Sequence, residues 1–178
     1  MDSVKSGSDI GSLRREIGQS VPFASSAVEA LLTLQRTSDD LNGEATAFLK
    51  AHGITPTQYN ALRIVRGSGP EGISTHDVGK RLVKRDPDVP RLLERLTAAG
   101  LVERHRCAED RRVTRCLITP QGVELLDRLG PMLDELHARQ FGMLSDAEQV
   151  QLVQLLDRVR ARLAEPCAEA RAREAAAE

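Results

Sequence analysis

The chain has 178 residues, 25 lysines and arginines against 26 aspartates and glutamates, 40% hydrophobic residues, and four aromatic side chains, Phe23, Phe48, Tyr59 and Phe141. A chain of this size can bury a core, its balanced charge does not force disorder, and no apolar run approaches the ~20 residues needed to span a bilayer. Scarce rings exclude modules that stack single-stranded bases on aromatic platforms, and three cysteines, Cys107, Cys116 and Cys167, are too few for a disulfide framework.

Residues 1–22 are rich in Ser and Gly and read as a flexible arm with a short helical stretch at Leu13 to Ile17. Met1 to Ser8 lacks the apolar stretch of a secretory signal, which predicts a cytoplasmic protein with no membrane partner. From Phe23 to about His52, the residues Val28, Leu31, Leu32, Leu41, Ala45, Phe48 and Leu49 recur at three- and four-residue steps, predicting a long amphipathic helix ended by Gly53. Thr55-Pro56-Thr57-Gln58 has the form of a capping box and starts a second helix to about Arg66. After the loop Gly67 to Gly72, Ser74 caps a short third helix ending near Val83, with Asp77 in the capping-box position. A fourth helix begins between Asp86 and Asp88, because Pro87 and Pro90 fit only in or before a first turn, and it stops at Gly100.

Beyond Gly100 the period changes to two. Val102, Arg104 and Arg106 alternate with Glu103, His105 and Cys107, and a second run covers Thr114 to Thr119, so a two-stranded hairpin with a charged tip is predicted. Thr119-Pro120 then restarts a helix, kinked at Pro131, and Ser145-Asp146-Ala147-Glu148 caps a last one. Residues 165–178 read as a frayed or disordered tail. The expected fold is mainly α with a small β-hairpin wing. A winged helix-turn-helix lobe occupies residues 54–118, with helical segments over residues 23–53 and 119–164 on either side of it in the chain.

The near-zero net charge is a cancellation. Ile73 to Ile118 holds eleven cations and seven anions, a surplus of four positive charges, whereas the rest holds fourteen against nineteen. Lys80, Arg81, Lys84, Arg85, Arg91, Arg95, Arg104, Arg106, Arg111, Arg112 and Arg115 can form the positive surface a phosphate backbone requires. The competing account, ordinary solvated charge, applies most to Arg95, inside a helix and next to Glu94.

Three blocks carry a family pattern: Leu92-Leu93-Glu94-Arg95-Leu96-Thr97-Ala98-Ala99-Gly100-Leu101-Val102-Glu103-Arg104, then Glu109-Asp110-Arg111-Arg112, then Leu117-Ile118-Thr119-Pro120-Gln121-Gly122. In this order and separation, they closely resemble the MarR family of transcriptional regulators, over residues 23 to 163. The resemblance implies a homodimer, with residues 23–53 and 119–164 as its helical dimerisation region, on a pseudo-palindromic operator in double-stranded DNA, most simply a repressor released by an effector; no cofactor is expected. It places Ser74, Thr75 and His76 at backbone contacts and Arg85, Asp88, Pro90, Arg91 and Arg95 on the recognition segment. It gives Asp110 a structuring role in the wing, with Arg111 or Arg112 reaching the minor groove; Arg106 and Arg115 lie on the wing strands. Pro90 replaces the Thr or Ser common in the family, so Arg91 is expected to dominate base readout, since arginine pairs bidentately with guanine.

Family members often bind small phenolic or other lipophilic acids, and the resemblance offers Phe48, His52, Tyr59 and Arg63 as lining residues; core packing is the competing account of Phe48 and Tyr59. The alternatives are a dimeric helical interaction protein without specific DNA binding, and a redox-sensing regulator using Cys107 and Cys116. In the predicted hairpin Cys116 lies nearer Arg104 than Cys107, which makes a direct bridge geometrically poor. His105, Cys107 and Cys116 sketch a metal site but lack a fourth ligand, and His52 and His137 suit helix ends better than a site. Ser74-Thr75-His76-Asp77 cannot align as a catalytic triad on adjacent helical positions, and no enzymatic activity is expected.

Overall fold

The computed structural model describes residues 13–106 and 114–164. The first twelve residues of the predicted arm, the wing-tip positions Cys107, Asp110, Arg111 and Arg112, and the predicted tail lie outside the described residues. The elements run α1 (Leu13–Glu16), α2 (Ser26–Ala51), α3 (Pro56–Arg66), β1 (Ile73–Ser74), α4 (Thr75–Arg81), α5 (Val89–Ala98), β2 (Val102–Arg106), β3 (Thr114–Ile118), α6 (Pro120–Gln140) and α7 (Asp146–Ala164). No described helix is long and apolar enough to cross a membrane.

Local signals set most boundaries. Ser25 accepts from the Val28 amide at the start of α2, and Gly53, with φ +76°, supplies the left-handed residue beyond its end. Thr55 and Gln58 complete a reciprocal capping box, the Thr55 amide donating to Gln58 Oε1 at 2.9 Å and the Gln58 amide to Thr55 Oγ1 at 3.2 Å. The third helix, α4, stops at Arg81 rather than near Val83, because Leu82 turns extended and buries its side chain. The fourth, α5, starts at Val89 with Asp88 as its N-cap, so Pro90 falls in the first turn where its missing amide costs nothing.

Two compact units are present, residues 1–131 and residues 132–178. In the first, α3 packs on α5, α4 and β3, and the core gathers Ala61, Leu62 and Val65 of α3, Val78 of α4, and Leu92, Leu93 and Leu96 of α5. Val102, Cys116 and Leu129 are also fully buried there. The wing is a three-stranded antiparallel sheet in the order β1-β3-β2 rather than the bare hairpin predicted. Ile73 pairs with Cys116 across one edge of β3 and Arg104 with Cys116 across the other. Two residues are too few to show an alternating pattern, which is why β1 was not legible in advance.

The end of α5 is tied to the start of α6. Gly100, at φ +71°, turns the chain, the Thr119 hydroxyl donates to the Gly100 carbonyl at 2.6 Å, and the Thr119 amide donates to the Leu101 carbonyl at 3.1 Å. The Gly122 amide in turn donates to Thr119 Oγ1 at 3.1 Å. A Cβ on Gly122 would collide with the Leu101 carbonyl oxygen and lie 2.8 Å from Ile118 Cγ1.

In the second unit, Ser145 and Glu148 cap α7 reciprocally, and their hydrogen bonds hold the Glu148 carboxyl below its ordinary pKa. Val150, Val153, Leu155, Val159 and Leu163 of α7 are exposed. Pro131, at the end of the first unit, stands inside α6.

Gly122→Ala should lower the stability of the protein by about 1–3 kcal/mol, because backbone and core atoms on two elements must give way. A urea midpoint equal to that of the parent protein would show that the α5–α6 junction tolerates a methyl group.

Candidate nucleic-acid interface

The helix-turn-helix consists of α4, the turn Leu82 to Asp88, and α5. Ser74, Thr75 and His76 stand at the entry to α4. The Ser74 hydroxyl accepts from the Asp77 amide at 3.1 Å and donates to Asp77 Oδ2 at 2.7 Å. That second bond holds the Asp77 carboxyl below its ordinary pKa, helped by the Lys80 ammonium, despite some opposing desolvation. The Lys80 and Asp77 pair, at 3.6 Å and exposed, adds little to stability.

The turn is held by side-chain acceptors. Asn60 Oδ1 on α3 accepts from the Val83 amide at 3.0 Å, Asp86 Oδ1 accepts from the Asp88 amide at 2.8 Å, and Asp88 Oδ1 accepts from the Arg91 amide at 3.2 Å. Both aspartates of a basic segment are thereby engaged locally. Lys84, Arg85, Asp88, Pro90, Arg91 and Arg95 are all exposed. Arg91 and Arg95 are one turn apart, on the face of α5 opposite the buried Leu92, Leu93 and Leu96.

The wing strands carry further cations. Arg104 reaches Glu94 of α5 at 3.9 Å, a long contact that links β2 to α5. Arg106 pairs through its backbone with Thr114 at the last register position before the tip. Arg115 Nη1 donates to the carbonyls of Glu71 and Gly72, both at 3.3 Å, which holds the loop after α3 on β3. Arg115, Arg81, Asp77, Ser68 and Ser74 line an open cleft of about 520 Å³ beside that loop.

Cys116 is fully buried, and desolvation raises its thiol pKa above the ordinary value although Arg104 and a hydrogen bond with Thr75 pull the other way. A buried, neutral thiol is a poor nucleophile. The predicted apposition of Cys116 and Arg104 is the observed register.

The effector candidates flank the turn between α2 and α3. The rings of Phe48 and His52 lie 4.6 Å apart, and His52 Nδ1 is 2.9 Å from the Phe48 carbonyl oxygen. Tyr59 is half-buried on α3 and Arg63 is exposed one turn later. His137 Nδ1 lies 3.0 Å from Gln140 Oε1 on its own helix. Among the described residues no group of three His, Cys, Asp or Glu side chains is placed to hold a metal ion.

Sequence reasoning missed the links between distant segments, the Arg115 bonds among them. Asn60 and Val83 are 23 residues apart, and Arg66 of α3 pairs with Asp127 of α6 at 2.6 Å across 61 residues. Neither has a local sequence signal.

Comparison with known proteins places these features in a family. The family model described as MarR family matches residues 52–113. A curated relative, the uncharacterised HTH-type transcriptional regulator YkoM of Bacillus subtilis, is 32% identical over 60% of this chain and 68% of its own. The crystal structure of a MarR transcription factor from Planctomyces limnophilus is 36% identical, with a TM-score of 0.60, covering 76% of this chain and 98% of that one. The MepR–DNA complex of Staphylococcus aureus shares the fold at 23% identity and a TM-score of 0.66, covering 79% and 99%.

The Asp77 cap carries a pH signature. A carboxyl whose pKa is lowered on folding contributes stability above its ordinary value of 3.8 and loses it as pH falls through the folded value. Asp77→Asn should therefore be less stable than the parent near neutral pH, with the gap closing below pH 3.8. A gap that stays constant in urea titrations down to the acid range would show that ionised Asp77 makes no contribution.

Proposed function

Since the chain belongs to the MarR family of helix-turn-helix transcriptional regulators, we propose that it is a homodimeric repressor that binds a pseudo-palindromic operator and leaves it when a small lipophilic or phenolic effector binds. The observation that carries the DNA-reading part is the charge arrangement on the recognition segment. Asp86 and Asp88 accept local backbone hydrogen bonds, while Lys84, Arg85, Arg91 and Arg95 are exposed. Anions that would repel phosphate are engaged at the helix entry, and the cations face outward, as affinity for duplex DNA requires.

In this reading α5 enters the major groove, Arg91 pairs with a guanine, and Arg85, Asp88, Pro90 and Arg95 border the contact. Ser74, Thr75 and His76 meet the backbone. Arg106, Arg111, Arg112 and Arg115 belong to the wing, where Asp110 fixes the tip and an arginine enters the minor groove. Residues 54–118 form the reading lobe, and residues 23–53 and 119–164 the dimerisation region. Support for the dimer comes from exposed apolar side chains on Val28, Leu31 and Leu34 of α2 and, separately, on α7. The effector would lie against Phe48, His52, Tyr59 and Arg63. The chain is a regulator and not an enzyme.

The test is salt-dependent binding to duplexes enriched from a random pool, with the mass of the free protein measured alongside. The parent protein should bind as a dimer, with a slope implying several released counterions. Arg91→Ala should cost about 1–3 kcal/mol on the enriched duplex and relax preference at one position of each half-site, whereas Arg112→Ala should weaken all duplexes alike and flatten the salt slope. Equal losses on enriched and scrambled DNA for Arg91→Ala would remove it from base readout, and binding with no sequence preference would favour a helical interaction protein.

A further inference from the structure

The recognition segment presents one apolar side chain that cation-based reading leaves unused. Among the described residues between 54 and 118, Val83 is the only large hydrophobic side chain that is exposed, at 89%; the others lie between 17 and 34 or between 132 and 163. Isolated exposed hydrophobics are ordinary on protein surfaces, so exposure alone does not set Val83 apart. Its backbone does. Asn60 Oδ1 holds the Val83 amide at 3.0 Å, and Leu82 immediately before it is buried. The backbone is thus held at Val83 and at the residue before it, while the side chain is exposed to solvent.

The surroundings decide what that side chain suits. Lys80, Arg81, Lys84 and Arg85 are all exposed within three residues of Val83 in sequence. Those charges attract phosphate, which a valine cannot bind. The turn leads directly into α5, and the N-terminal end of a recognition helix is the part that reaches base edges in the major groove. There, thymine is the base that offers a methyl group.

We propose that Val83 is a specificity-determining residue that packs on the C5-methyl of one thymine in each half-site, and that Asn60 is its positioning residue. The proposal rests on the reading that α5 enters the major groove.

The test uses the full chain and a duplex enriched from a random pool, with each thymine replaced in turn by deoxyuridine, which removes only the methyl group. At one thymine per half-site the parent protein should lose about three- to five-fold in affinity, the scale of one apolar methyl contact. Val83→Ala should show a comparable loss on the unmodified duplex and no further loss on the deoxyuridine duplex. Asn60→Ala, with Val83 intact, should also lose its methyl dependence, and Asn60→Asp, which keeps the acceptor, should restore it; a purely structural role for Asn60 would weaken both duplexes equally. Matching methyl profiles for the parent and Val83→Ala overturn the assignment while leaving DNA binding intact. If no duplex is enriched at all, the parent reading fails and the proposal falls with it.

Discussion

A missing Cβ at Gly122 lets the first turn of α6 approach the Leu101 carbonyl, and Thr119 then ties that turn to Gly100 and Leu101 through its hydroxyl and amide. The position of α5 depends on this junction, because α5 ends at Ala98, two residues before the chain turns at Gly100. β2 begins shortly afterwards, and β3 returns to Thr119, so the wing and α5 share one anchor. The Thr-Pro-x-Gly run that carries part of the family resemblance is therefore a packing device. Its threonine supplies a donor and an acceptor, its proline a first-turn residue without an amide, and its glycine the room for close approach.

At the other end, α5 is set by polar contacts. Asp88 caps it, Asp86 holds Asp88, and Asn60 fixes the turn from α3. An N-cap aspartate also interacts favourably with the helix dipole, so the anion that stabilises the start of α5 lies beside the proposed groove contact. Engaging it locally reconciles the two demands. The net charge of −1 is the same compromise on the scale of the chain, since a basic winged segment is offset by an acidic remainder.

The elements legible in the sequence were those with local causes. Thr55-Pro56-Thr57-Gln58, Ser74 with Asp77, and Ser145 with Glu148 announced helix starts because a cap needs only residues three apart. The change of period after Gly100 announced β2 and β3, and the pairing of Cys116 with Arg104 followed from the placement of the tip. The strand β1 stayed hidden because two residues carry no period, and the early end of α4 because burial of Leu82 is a tertiary effect. The same holds for the interface. Its cations were visible as a charge excess, but Arg115 could not be seen to hold the Glu71 and Gly72 carbonyls, nor Asn60 to hold Val83, because both bonds join distant segments.

These distant bonds make α3 the element through which the proposed effector would act. Tyr59 and Arg63, offered as effector contacts, flank Asn60 on α3, and Asn60 holds the turn before α5. At its far end α3 meets α6 through Arg66 and Asp127, an exposed pair worth about 0–1 kcal/mol, so this tether resists a shift of α3 only weakly. A ligand changes operator affinity only as far as it binds one arrangement better than another. In the proposed regulator a displacement of α3 would meet that requirement, since the Asn60 hydrogen bond joins it to the backbone of Val83 and the turn leading into α5. Because Ala61, Leu62 and Val65 bury α3 in one core with Leu92, Leu93 and Leu96 of α5, such a displacement would carry α5 and its entry turn along with α3.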